Sequence, residues 1–264
     1  MNKRLVIIAS LLIVVGLAGV LFTFNKKMSA DTVSKNAEVT EEFNNINVIS
    51  DNAQIKVLPT KEKTANINVD GVVENEEMFS FTSDVRNDTL EIELKEDRFK
   101  LFTFDFLTRE INLTISMPER QYEQINIDNN NGKIEIQDME IKGINVETDN
   151  GYIHLNETKG NLITAKTSNG KLLLENVQGE LKAQTANGAI DVKVPTIVFP
   201  IDLKTLNGKI RIETRNQVKN ATFIANTDNG SINIFGKNEG NQVIGDGETM
   251  IRLKTSNGSI EVGN

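Results

Sequence analysis

Cysteine is absent from the 264-residue chain. Its absence excludes a disulfide framework, a thiolate metal site and a lipidated cysteine near the N-terminus, and cysteine pairing says nothing about the redox compartment. A clustered basic face is also missing. All 37 acidic residues but only 27 of the 29 basic residues follow position 24, which gives that part a net charge of −10. Because phosphate binding needs clustered Lys and Arg, nucleic acid is not an expected partner.

Signatures of known catalytic sites are missing as well. No GxSxG, HExxH, phosphate-binding loop or dinucleotide fingerprint occurs. The single histidine, His154, lies between Ile153 and Leu155, so strand alternation turns it toward solvent. We therefore expect no enzyme activity, no cofactor and no metal ion.

The first 27 residues indicate a location at a membrane. Residues 5–24 form a twenty-residue run without a charge, and a helix of that length spans roughly 30 Å of hydrocarbon at about 1.5 Å per residue. A cleaved signal peptide is the alternative, but its apolar core is shorter and the best cleavage match, Met28-Ser29-Ala30, is poor. We expect an uncleaved single-pass anchor in the cell membrane, with residues 25–264 extracytoplasmic.

An internal repeat organises the remainder. Asn-Gly recurs at spacings of 19, 19, 18, 20, 22 and 28 residues. The asparagines are Asn131, Asn150, Asn169, Asn187, Asn207, Asn229 and Asn257. With Asn as position zero, positions −6, −4, +3 and +5 are apolar in every copy, and position −2 is Thr except at Asn129. Each repeat therefore predicts two short strands with alternate residues inward, joined at Asn-Gly.

Two architectures fit that repeat. Asn-Gly is a strong hairpin signal, which favours an antiparallel meander or barrel. In a parallel β-solenoid, equivalent positions of successive coils instead lie about 4.8 Å apart and touch. A repeated Thr or Asn is costly to bury unless it is hydrogen-bonded, and stacking supplies each with its twin in the next coil. We predict an all-β parallel β-solenoid (β-helix) of about 19-residue two-strand coils, with Thr and Asn in columns down its inside.

The same template extends toward the N-terminus in weaker form. It fits around Asn52, where Ala53 replaces glycine, and more loosely around Asn87. Lys142-Gly143, Lys159-Gly160 and Gln178-Gly179 predict the second corner of early coils. The predicted domains are a cytoplasmic stub (1–4), a transmembrane anchor (5–24), a polar tether (25–42), degenerate coils with an aromatic-rich segment (43–124) and regular coils (125–264).

The repeated motifs INVETDNGYIHL, LITAKTSNGKLLL, LKAQTANGAIDV and IRLKTSNGSIEV carry a family resemblance. Over residues 43–264 the chain resembles a bacterial family of β-strand-repeat, adhesin-like proteins of unknown function, which includes LiaG-like membrane-anchored envelope proteins. The resemblance implies an extracytoplasmic β-solenoid linked to the cell envelope. It implies no catalytic residues, because the family has none in common.

Two patterns in the repeats could still carry chemistry. Enzymes that cleave polysaccharides on a β-solenoid use paired carboxylates, and Glu135, Glu147 and Asp191 are outward acids here. They alternate with Lys and Arg, which is typical of a solvated sheet. Asp149 and Asp228 begin Asp-Asn-Gly triplets that could suggest calcium, but the glycine-rich nonapeptide repeat that builds such sites is missing, so these triplets indicate turns.

An aromatic segment, FKLFTFDFL at residues 99–107, departs from the polar surface pattern. One interpretation is a buried strand or a cap that covers the terminal coil. The other is an exposed strip that contacts a partner or the membrane surface near the anchor. The candidate contact residues are Phe99, Phe102, Phe104 and Phe106.

Together these features predict a membrane-anchored, non-enzymatic binding, adhesin-like or scaffold module of the bacterial cell envelope. Flat repeated faces suit extended contacts with an envelope polymer, a peptide or another protein. The alternative prediction is a polysaccharide-active hydrolase or lyase on a β-helix. A role as an accessory of an envelope-stress response follows from the resemblance alone.

Overall fold

The computed structural model describes residues 13–16, 31–73, 76–96 and 110–264. Apart from a helical turn at 13–16 and a 3₁₀ turn at Glu76–Met78, the regular structure of these residues is β-strand. The strands are β1 (Asp31–Val39), β2 (Asn45–Asn52), β3 (Gln54–Thr60), β4 (Ala65–Val73), β5 (Phe79–Arg86), β6 (Thr89–Glu96), β7 (Ile111–Pro118), β8 (Tyr122–Gln137), β9 (Ile141–Asn156), β10 (Lys159–Asn169), β11 (Leu172–Glu175), β12 (Gln178–Asn187), β13 (Ile190–Val194), β14 (Ile201–Asn207), β15 (Ile210–Thr214), β16 (Ala221–Asn229), β17 (Ile232–Ile234), β18 (Asn241–Ile244), β19 (Thr249–Asn257) and β20 (Ile260–Gly263).

Strands on the two sides of each Asn-Gly corner form two faces. We call the strands before the corners face A and the strands after them face B; β8 and β9 bend at the corner and belong to both. Across the stack, face A runs β5, β6, β2, β8, β9, β10, β12, β14, β19, β16, β18. Face B runs β1, β4, β7, β3, β8, β9, β11, β13, β15, β20, β17.

Neighbouring coils pair in parallel and in step with the repeat. Thr148 pairs with Thr167, and Thr167 pairs with Thr185. The same column continues to Thr205 and Thr255. Parallel pairing excludes an antiparallel meander for these coils and confirms an all-β, mostly parallel, β-solenoid-like fold.

The alternating apolar positions fill the interior of the stack. In the Asn150 coil, Ile144, Val146, Ile153 and Leu155 are at most 1% exposed. The same positions of the other Asn-Gly coils are buried, except for Ile232, which is partly buried. Because burying one such side chain contributes about 1.5–3 kcal/mol, this continuous core holds the coils together.

The stack does not follow chain order at its ends. The coil of Asn257, made of β19 and β20, lies between the Asn207 coil and the Asn229 coil. At the other end, β2 and β3 lie between β8 on one side and β6 and β7 on the other. The long spacing before Asn257 is therefore a change of stacking order as well as a longer connection.

Antiparallel strands close the N-terminal end of the stack. β1 pairs with β4, β4 with β7, and β5 with β6. The tether prediction is wrong for Asp31–Val39, because these residues form β1. The template match at Asn87 is not a coil corner either: Asn87 and Asp88 have φ of 50° and 65° and form the two-residue turn of the β5–β6 hairpin.

The predicted anchor falls mostly outside the described residues. Of residues 5–24 the structure describes 13–16, which are helical. None of the helices within the described residues has the length and apolar character needed to span a bilayer.

Candidate functional site

A ladder of asparagine side chains follows the Asn-Gly corners. Neighbouring Asn side chains are joined by hydrogen bonds of 2.8 to 3.0 Å, in which Nδ2 of one Asn donates to Oδ1 of the Asn in the adjacent coil. In stacking order the ladder contains Asn52, Asn131, Asn150, Asn169, Asn187, Asn207, Asn257 and Asn229. The predicted contact between twins is confirmed, but the predicted inside position is wrong, because the Asn of every Asn-Gly corner is exposed where the chain turns and Asn52 is partly exposed.

The threonine column is buried except at Thr227, which is partly exposed, yet its hydrogen bonds are not those expected. Thr185 Oγ1 donates to the carbonyl of Gly170 in the neighbouring coil at 3.2 Å, not to another threonine. The same bond joins Thr205 to Gly188, Thr227 to Gly258 and Thr255 to Gly208. Within the described part of the chain, Thr148 and Thr167 have buried hydroxyls with no hydrogen-bond partner. The Thr column therefore secures corners of adjacent coils only in part of the stack.

The corner glycines pack against one another too closely for any side chain. A methyl group at Gly170 would lie 1.6 Å from the Gly151 oxygen, and one at Gly188 would lie 1.8 Å from the Gly170 oxygen. Ala53 is tolerated because it stands at the end of this column, where the described residues contain no further corner glycine. Close approach of backbones is thus the reason for glycine at these corners.

The second corner of the early coils is built on left-handed residues. Asp138, Glu157 and Asn176 have φ of 54°, 49° and 53°. Each follows a face B strand and precedes a glycine at which the sequence predicted the corner, in turn Gly143, Gly160 and Gly179. Only Asn and Asp tolerate this conformation well among side-chain-bearing residues, so Glu157 holds backbone strain.

An open cleft with a volume of about 790 Å³ lies on face B. Four coils contribute charged side chains to it: Glu175, Lys193, Arg211, Glu213, Arg215 and Glu261. We call it the face B cleft. Lys193 Nζ donates to Glu175 at 3.1 Å, and Arg211 lies 3.4 Å from Glu261. Arg215 donates to Asn176 at 3.3 Å and forms no ion pair with any residue that the structure describes.

Two of the cleft acids, Glu175 and Glu261, have a pKa below the ordinary value. Burial raises the pKa of Glu175, but hydrogen bonds from His154 and Lys193 outweigh it, so that the pKa lies below its ordinary value of 4.5. The hydrogen bond and charge of Lys209 likewise lower the pKa of Glu261. Their ionised forms therefore add stability above about pH 4.5, and that contribution is lost as the pH falls through the lowered values. Neither acid is set up to donate a proton near neutral pH.

The other acids singled out from the sequence do not form a catalytic pair. Glu135 and Asp191 lie on face B but three coils apart, roughly 14 Å at about 4.8 Å per strand, and Glu147 lies on face A. A glycosidase pair is at most about 9.5 Å apart. His154 is half-buried on face B, where its Nε2 lies 2.9 Å from Glu175.

The predicted aromatic contact residues Phe99, Phe102, Phe104 and Phe106 lie outside the described residues. The strands that flank them, β6 and β7, are at the same end of the stack as β1. No group of three or more His, Asp or Glu that could hold a metal occurs in the residues that are described.

The face B cleft was not predicted from the sequence. Arg211 lies in the ordinary alternating strand β15 and Arg215 directly follows that strand, and no local signal marks them. The connections after β13 and β15, at residues 195–200 and 215–220, are the one feature of this region that departs from the regular coils.

Comparison with known proteins identifies one matching family and several solved structures of low sequence identity. The sequence matches the family described as Toastrack DUF4097 over residues 43–178 and 164–263. A candidate cell adhesion protein of known structure from Clostridium sporogenes ATCC 15579 is 13% identical, with 89% of this chain and 99% of that chain covered and a TM-score of 0.47. A candidate adhesin from Bacteroides fragilis NCTC 9343 is 14% identical, with 89% and 98% covered and a TM-score of 0.48. No curated protein matches the chain significantly.

Proposed function

The chain belongs to the Toastrack DUF4097 family, and from this premise we propose that it is a membrane-anchored, extracytoplasmic binding or scaffold module of the cell envelope. It presents its β-solenoid-like domain to envelope polymers, peptides or proteins and catalyses no reaction. A part in the envelope-stress response belongs to the same proposal, through whatever the domain binds.

The face B cleft is the observation that carries the binding role. It is open, about 790 Å³ in volume, and lined by both signs of charge. Its acids pair with Lys193, Lys209 and Arg211, while Arg215 has a guanidinium available to an anionic group of a ligand. Prearranged charges of both signs give specificity in recognition without a chemical step.

The positions of the uncharged run and of the aromatic segment along the chain support the proposed membrane contact. The uncharged run at 5–24 precedes β1, and residues 97–109, with Phe99, Phe102, Phe104 and Phe106, connect β6 to β7 at the end where β1 lies. An anchor and an aromatic segment that join the same end of the stack can both reach one bilayer surface, where aromatic side chains are favoured.

Location and orientation can be tested directly because the chain has no cysteine. A single cysteine replaces exposed Ser168 in one variant and Asn2 in another, and intact cells are treated with a membrane-impermeant maleimide. We expect labelling of S168C only. Equal labelling of both, or release of the S168C protein from the membrane fraction, would contradict the anchor.

Binding is tested with the full-length protein in lipid nanodiscs and purified insoluble cell envelopes. We expect co-sedimentation that weakens when Arg215→Ala removes the available guanidinium, and that is unchanged in Lys182→Ala, a matched exposed cation on face A. Release of soluble sugars from the envelopes, abolished by Glu135→Gln or Asp191→Asn, would instead establish the polysaccharide-active enzyme.

A further inference from the structure

We propose that a second concavity, away from the face B cleft, binds a glycan strand that carries acetamido groups. This groove has a volume of about 230 Å³. Its lining includes Gln121, Glu140, Lys159, Asn161, Gln178 and Phe199, and we call it the Phe199 groove. The inference names a ligand class and rests on the proposed function only in placing the domain where such glycans occur.

The groove runs along the stack because its lining repeats once per coil. Tyr122 pairs with Ile141, Glu140 forms a bridge with Lys159, and Lys159 pairs with Gln178. Residues one coil apart are about 4.8 Å apart, so the groove presents a row of side chains to a ligand that lies parallel to the stack. A linear polymer fits such a row better than a small compact molecule does.

The polar groups of the groove are mostly amides with hydrogen-bonding capacity to spare. Gln121 uses its Nε2 to donate to Glu140 at 2.8 Å. The side chains of Asn161 and Gln178 are exposed and make no hydrogen bond within the residues that the structure describes. A side-chain amide both donates and accepts, so it matches the hydroxyl and acetamido groups of a sugar, which do the same.

Phe199 supplies the apolar part of the site. It follows Val198 and precedes Pro200 in a connection bounded by Pro195, and its side chain is 41% exposed. An exposed aromatic ring at the end of a row of amides can pack against the C–H face of a pyranose ring. The two prolines restrict the backbone on either side of it, which lowers the entropy lost when a ligand binds.

The charges of the groove favour a glycan over an acidic polymer. Glu140 accepts from Gln121, and Lys142 is paired with Glu123 at 2.6 Å. Of the two lysines in the groove, Lys159 has no ion pair among the described residues. A single available cation attracts a polyanion only weakly. Amides and one aromatic ring therefore dominate recognition.

The probe is chitohexaose, a soluble oligomer of N-acetylglucosamine, titrated calorimetrically into the full-length protein in nanodiscs. We expect saturable binding that is weakened about tenfold by Phe199→Ala and several-fold by Gln178→Ala. Val198→Ala, the exposed neighbour that does not line the groove, should bind within about twofold of the wild type. Thermal melting of each variant establishes that it remains folded.

Three results would overturn the inference: no binding of chitohexaose, undiminished binding by folded Phe199→Ala, or equal binding of cellohexaose, which lacks acetamido groups. Binding of a uronate oligomer alone, lost in Lys159→Ala, would assign the groove to acidic polymers instead. Envelope co-sedimentation that depends on Arg215 but not on Phe199 would leave the proposed function standing without this site.

Discussion

The middle of the stack and its two ends are built by different rules. From the Asn131 coil to the Asn207 coil, strands pair in parallel, partners lie 18 to 20 residues apart, and the corner asparagines and glycines form unbroken columns. At the ends, the Asn column continues to Asn52 and to Asn229, but hairpins and out-of-order coils are added, and paired residues lie as far apart as Asn52 and Asn131. The same residue type is needed at a repeat position only where that residue stacks on its equivalent in the next coil.

The two ends are also closed by different means. At the N-terminal end, β1, β4 and β5 add antiparallel strands to both faces. At the C-terminal end a single antiparallel strand, β18, is added to face A, and Phe235 packs edge-on against buried Phe223, with ring centroids 5.9 Å apart. Phe235 adopts a φ of 50°, unusual for an aromatic residue. The end of a stacked core needs a cover, and here an aromatic ring in a strained turn provides it.

The largest difference between middle and end should appear at the corner glycine. We expect Gly170→Ala to lower the free energy of unfolding by about 4 kcal/mol or more, because its methyl group would meet the Gly151 carbonyl at 1.6 Å and force two coils apart. The matched change at the end, Ala53→Gly, should cost only about 1 kcal/mol. Urea denaturation measures both, and equal costs would contradict the close-packing explanation.

The next largest effect should remain confined to an end. Phe223→Ala leaves a cavity at a fully buried site and should cost about 3 kcal/mol. Because Phe223 lies in the outermost coil, we expect faster amide hydrogen exchange in residues 221–234 before any change in residues 144–192. Simultaneous loss of protection along the whole stack would show that middle and end unfold as one unit.

Within the middle, the threonine column offers a matched pair. Thr185→Val removes the bond to the Gly170 carbonyl and should cost about 1 kcal/mol. Thr167 has a buried hydroxyl without a described partner, so Thr167→Val should be neutral or stabilising. Thermal unfolding of the two variants compares them, and the reverse ranking would mean that the Thr-to-glycine bond does not hold coils together.

The smallest effect concerns the second corner of the middle coils. Glu157→Asn replaces a residue with a φ of 49° by one that tolerates the left-handed conformation, as Asn176 does one coil further on. We expect a gain of about 0.5 kcal/mol. The same substitution at Glu147, on an exposed strand position of face A, should bring no gain, and a gain there would remove the conformational explanation.

The stacking could be predicted because the sequence repeats polar residues on an apolar pattern. A repeated Thr at position −2 or Asn at position zero adds stability only if the equivalent residues of successive coils stack on one another, and the structure has both columns. The inside position of Asn was wrong because strand alternation was continued through the corner. Position −2 is the last residue that alternation places inward, and the turn carries Asn outward.

The end structures could not be read from the sequence for two physical reasons. All Asn-Gly coils present the same surface to a neighbour, so nothing local says that the Asn257 coil lies between the Asn207 and Asn229 coils instead of following the Asn229 coil. β1 buries few of its side chains, among them Val33 and Val39, and shows no period-2 signal. The charges of the face B cleft come together only through stacking, so Arg211 and Arg215 look like ordinary surface residues.

The placement of β2 with β3, and of β19 with β20, inside the stack sets the order in which the domain can be completed during synthesis. Residues 45–60 emerge early but acquire both neighbours only after Pro118 and Gln137 have been made. Until residues 249–263 arrive, a gap one strand wide separates the coils they join. A nascent chain that lacks residues 249–263 leaves the strand edges of the Asn207 coil and the Asn229 coil without the strands that join them. Synthesis of residues 249–263 supplies those strands and connects the two coils.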